Sequence, residues 1–169
     1  MIHEALHRPI PVELTDDRRI RRRVKRLAAV SAVALGLIWA LAAATLDAPL
    51  AVDVALLAGW LLMPTILLAS LRDARLRYGL MAPSVLVSFA LLAIVLGWSP
   101  GGVAGVGWLM MLLGILLGGA MGLWFWFRVL PVPHVLDAPD APGRWILIAV
   151  HVALVVVGLA LAASALVAA

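Results

Sequence analysis

The sequence predicts an all-α fold, an integral membrane bundle of five transmembrane helices with the N-terminus cytoplasmic and the C-terminus external. Three observations lead there. Of 169 residues, 65% are hydrophobic and 13% charged, whereas a soluble domain sits near half apolar. Five apolar runs, at 27–46, 52–71, 79–98, 103–127 and 145–169, each have the length that crosses about 30 Å of hydrocarbon. Finally, threading those runs back and forth puts all 13 basic residues on one side, as the positive-inside rule requires.

Residues 1–14 contain Pro9 and Pro11 and read as a flexible cytoplasmic tail, with 15–169 as one five-helix domain. Thr15 is placed to cap a helix, and Asp16 and Asp17 suit the positive end of its dipole. Ile20, Val24 and Leu27 recur at helical spacing among arginines. The first helix is therefore expected to start in the cytoplasm and run unbroken into the bilayer. Ala42-Ala43-Ala44 looks like a signal-cleavage site. The basic stretch before this run is too long for an ordinary signal, so the run is kept as the first span.

The second run opens with Asp53, read as an N-terminal cap on the external side with a cation-entry role as the alternative, and contains Pro64; the third holds Pro83 near its start. Both prolines predict local kinks that neighbouring groups tolerate. Trp98 and Trp108 are expected at the outer interface, and Trp124, Trp126, Trp145 and Tyr78 at the inner one. Trp39 and Trp60 fall deeper and are expected to pack between helices. The fourth run carries Gly114, Gly118 and Gly122 four residues apart. This small-residue stripe lets another backbone approach closely, within the bundle or on a partner.

Seven basic residues, Arg18, Arg19, Arg21, Arg22, Arg23, Lys25 and Arg26, precede the first span. Such a juxtamembrane cluster meets anionic lipid headgroups at the cytoplasmic face and not nucleic acid. The absence of cysteine removes thiolate metal sites and cysteine nucleophiles. A phosphate-binding loop is missing. The zincin string occurs once, His3-Glu4-Ala5-Leu6-His7, in the tail before any span, and the nucleophile-elbow string once, Gly97-Trp98-Ser99-Pro100-Gly101, at the end of the third run; neither is read as catalytic. His134, Asp137 and Asp140 lie in a proline-rich internal loop that reads as a stiff connector; no metal site is expected there.

His151 is the sole histidine in a span. At that depth it is the candidate cofactor-binding residue, toward haem or quinone, or a proton relay, against a plain hydrogen bond across a helix. Membrane cytochrome b subunits also have several helices but hold haem between histidine pairs, and no second intramembrane histidine exists here. Ser31, Thr65, Ser84 and Ser88 make a thin lining for a solute path, which ranks a small transporter third. The leading expectation is a non-catalytic membrane subunit or accessory protein that packs against partner membrane helices or a second copy. No cofactor is expected on that reading; a redox-chain subunit touching haem or quinone through His151 is the alternative. Arginine-rich, alanine-rich composition points to a bacterial cytoplasmic (inner) membrane.

Overall fold

The structure is a computed structural model that describes residues 18–73, 76, 79–128 and 142–168, without the side chains of 19, 20, 120–128, 142–145 and 168. The expected helix start at Thr15 and the proline-rich loop with His134, Asp137 and Asp140 lie outside the described residues. The described residues are mostly helical, with no strand among them. The helices are α1 (Arg18–Thr45), α2 (Leu50–Ala69), α3 (Met81–Ala93), α4 (Gly102–Arg128), α5 (Pro142–Ala162) and a final turn, α6 (Ala165–Ala168). Five segments among them are long and apolar enough to cross a membrane.

α1 has 28 residues and spans about 42 Å at 1.5 Å per residue. It runs without interruption from the basic cluster into the apolar sequence. Ala28, Leu35, Ile38, Leu41 and Ala42 form its buried face, the three-and-four spacing of one helical stripe. The remaining faces are just as apolar. Val30 stays 64% exposed, Phe89 on α3 67%, and Leu96 78%. In water each such side chain would forgo roughly 1.5–3 kcal/mol of burial; in hydrocarbon the same exposure costs nothing.

α2 begins differently from the expectation. Pro49 occupies the N-cap with φ −59° and ψ 148°, and no side chain caps the end. Proline fits because its fixed φ suits this boundary and a helix start has no use for its missing N–H. Asp53 sits one turn inside, and its carboxylate is engaged elsewhere. Pro64 lies within α2, so the Trp60 carbonyl lacks its usual donor. Pro83 is buried in the first turn of α3, where a missing N–H breaks no helical bond.

The last turn of the third span widens into a π-helix, Ile94–Trp98, which turns the fully buried Ile94 into the core. The chain then reverses through Ser99, Pro100 and Gly101. Gly101 and Gly102 have φ of 75° and 53°, the left-handed region that only glycine enters freely.

Each helix packs mainly on its neighbours in sequence, with α4 against α5 the most extensive pairing, and α1 touches α5 and α6 only lightly. Trp39 meets Asp53 while Ala32 meets Trp60, Gly59 faces Val87 while Ile66 faces Gly79, and Gly107 faces Ala162 while Gly118 faces His151. The pairs α1–α2, α2–α3 and α4–α5 therefore run antiparallel, and the 99–101 reversal turns α4 back along α3. Every described basic residue therefore lies at one end of the bundle, with the 70–80 connection. The opposite end carries Asp47 and Asp53 and no basic residue among those described.

The buried centre joins Ile38, Leu56, Leu91, Ile94, Trp108 and Met111. Trp108, expected near the outer interface, is fully buried within the bundle. It shares the inward face of α4 with Ala104, Met111 and Leu112, a direction that its distance from the helix end could not reveal. Its Nε1 is a buried donor without a partner among the described residues.

Candidate functional site

The α4–α5 seam brings His151 against the glycine stripe. A Cβ on Gly118 would fall 2.5 Å from His151 Cε1 and 2.8 Å from Nδ1, so the imidazole occupies the space that any other residue's side chain would need. One turn along, a Cβ on Gly114 would meet Val155 Cγ2 at 2.8 Å. Further on, Gly107 lies on the backbone of Gly158 and Ala162, while a Cβ on Gly158 would meet the Gly107 carbonyl at 2.8 Å. The face turned to α5 is thus Gly107, Met111, Gly114 and Gly118. A Cβ on Gly119 would meet nothing within 4 Å. The contacts of Gly122 lie outside the described residues.

His151 is half-buried, and its Nδ1 stands 2.6 Å from the Gly114 carbonyl oxygen. A carbonyl only accepts, so Nδ1 carries the hydrogen and donates it. In a neutral ring this leaves Nε2 with a lone pair. The nitrogen can accept from a hydroxyl or ligate a metal, but it cannot donate to a quinone carbonyl. A haem held by two histidines does not fit these residues, since the spans hold no second one.

The other polar groups are already engaged. Ser31 donates to the Ala28 carbonyl at 3.0 Å, Thr65 to Leu61 at 2.6 Å, Ser84 to Leu80 at 2.9 Å and Ser88 to Ser84 at 2.8 Å. Each hydroxyl serves its own helix, one turn back, and they outline no continuous polar path. No group of three metal-ligating side chains exists among the described residues. Comparison with family models, curated proteins and solved structures finds no match.

A second polar cluster ties α1 to α2. Trp39 Nε1 donates to Asp53 Oδ1 at 2.7 Å, and Trp60 Nε1 donates to the Ala32 carbonyl at 2.8 Å. The two indoles stack, with centroids 5.3 Å apart and planes at 12°. Gly36 permits this, since its Cβ would fall 2.8 Å from Trp60 Nε1. The sequence pointed to two deep tryptophans between helices, but not to Asp53 as the acceptor for one of them.

At the basic end Arg18, Arg21, Arg22, Arg23, Lys25 and Arg26 are exposed; the side chain of Arg19 is outside the described set. They surround α1 on several faces, where a headgroup layer could reach them from all sides.

Proposed function

We propose that the chain is an integral membrane protein of the bacterial cytoplasmic membrane, with its basic end and N-terminus cytoplasmic and its C-terminus external. In this reading it serves as a non-catalytic subunit or accessory protein that packs against partner membrane helices or a second copy. The observation that carries it is the charge map: every described basic residue sits at one end of five apolar helices. The exposed cluster from Arg18 to Arg26 then meets anionic headgroups, gaining about 1 kcal/mol per basic residue near the surface. The wide apolar exterior, including Phe89 and Leu96, is the surface for lipid and partner helices. Gly114 and Gly118 are taken up by α5, so a partner contact falls on outward faces.

Extraction from native membranes in a mild maltoside tests the subunit role. A stoichiometric assembly larger than the 17.9 kDa chain in its micelle is the expected result. A lone monomer that retains full cellular function would overturn it.

A second reading is a redox-chain subunit: the His151–Gly114 contact is a plain hydrogen bond across a helix, but it uses Nδ1 and leaves Nε2 of a neutral ring as an acceptor. That nitrogen suits a quinol hydroxyl or an iron atom. An absorbance spectrum separates the two readings where haem is concerned, because a Soret band lost in His151→Ala would displace the subunit role. Quinol-dependent protection of the His151 ring from carbethoxylation would do so for a quinol.

A further inference from the structure

We propose that the end of the bundle opposite the basic cluster holds a binding site for an ammonium group carried on an apolar body, with Asp53 as its counter-ion. A cavity of about 350 Å³ opens between the end of α1 and the start of α2, within the size range of small-molecule sites. Ala42, Ala43 and Ala48 make the room, Leu46 and Leu50 form apolar walls, and Asp53 is the only charged residue lining it.

Several fields act on this cavity. Asp53 accepts the Trp39 indole N–H, which orients the carboxylate without neutralising it. The start of α2 contributes roughly half a positive charge, and the end of α1 roughly half a negative one. These cancel, and the carboxylate's full charge remains. Asp47 in the 46–49 connection adds to it. The nearest basic residue along α1, Arg26, is 16 residues from Ala42, about 24 Å along the helix, well beyond the screening length of about 8–10 Å. The basic residues at the starts and ends of the other helices are at that same far end. Among the described residues no cation faces Asp53, whose half-buried carboxylate accepts the Trp39 N–H, so a cation in the cavity would add an opposite charge beside it.

The cavity is too large for a bare metal ion and offers only one carboxylate where such ions take six or more oxygens. Its alanine and leucine walls suit the hydrocarbon around an ammonium group. A free organic amine and the headgroup of an aminophospholipid share that chemistry.

The test uses the full chain in maltoside micelles and equilibrium dialysis against benzyltrimethylammonium. Saturable binding of one cation per chain is expected. Asp53→Asn keeps an oxygen for the Trp39 N–H and removes the charge, so binding should weaken at least tenfold while the melt stays cooperative and falls only slightly. Asp47→Asn should change it less than threefold. Ala43→Leu fills the cavity and leaves the carboxylate, and should also abolish binding, which covers the case of a poorly folded Asp53 variant. Unsaturable partitioning into wild type, or full binding by either the Asp53 or the Ala43 variant, overturns the proposal. Short-chain phosphatidylethanolamine is then added against phosphatidylglycerol. Competition by the first alone assigns the site to a lipid headgroup, and no competition by either assigns it to a free amine.

Discussion

Gly118 has no side chain, and the ring of His151 uses the space this leaves. Enlarging Gly118 to leucine must move the ring, break its bond to the Gly114 carbonyl or push α5 away. Overpacking of this kind costs about 1–3 kcal/mol, and the loss should appear in the thermal melt of the isolated chain. Gly119→Leu, into open space, is the matched control and should melt like wild type. Equal melts for Gly118→Leu and Gly119→Leu would show that the seam does not need the glycine. The Trp39–Asp53 bond is open to a double-mutant cycle. A hydrogen bond to a charged group contributes about 1.5–3 kcal/mol, so Trp39→Phe and Asp53→Ala should be non-additive by about that amount in unfolding free energy. Strict additivity would mean that the contact contributes nothing. Single residues were also where the sequence was hardest to read. Asp53 is bonded to a residue 14 positions away, and no local pattern reports a partner on another helix.

Among the elements, span positions were legible because length and hydropathy alone decide them, and the helices overlap the runs expected at 27–46, 52–71, 79–98, 103–127 and 145–169. Which face of each helix turns inward was not legible, because apolar residues cover every face. In α4 a strict four-residue step drifts by about 40° per step around a 3.6-residue turn. The face in contact with α5 alternates steps of four and three through Gly107, Met111, Gly114 and Gly118, and so stays aligned over 11 residues. The π-turn Ile94–Trp98 was also invisible, since Ile-Val-Leu-Gly-Trp is equally compatible with a regular helix. For α1 the prediction concerns its charged start. Changing Arg21, Arg22, Arg23, Lys25 and Arg26 to glutamine should remove about 5 kcal/mol of attraction to an anionic surface, at about 1 kcal/mol per residue. Retention of phosphatidylglycerol by the purified variant, measured by mass spectrometry, should fall accordingly. Undiminished retention would remove the headgroup role of the cluster.

For the whole molecule, the proposed crossing of the membrane by all five helices would put Arg18 and Ala168 on opposite sides. A reporter fused after Ala169 should be active only outside the cytoplasm, and one inserted in 129–141 only within it. Cytoplasmic activity at both positions would rule out the proposed orientation. The dominance of contacts between consecutive helices also bears on how the molecule is made. On the proposed membrane reading, the α1–α2 hairpin can close while later helices are still being made, because its two helices are adjacent in sequence and the loop between them is short. Later helices can dock one at a time, and only the light contact of α1 with α5 and α6 waits for the end of synthesis. Continuity of the chain is then a convenience of delivery: two co-expressed pieces, divided in the 70–80 connection, should find each other in the membrane and co-purify as one bundle.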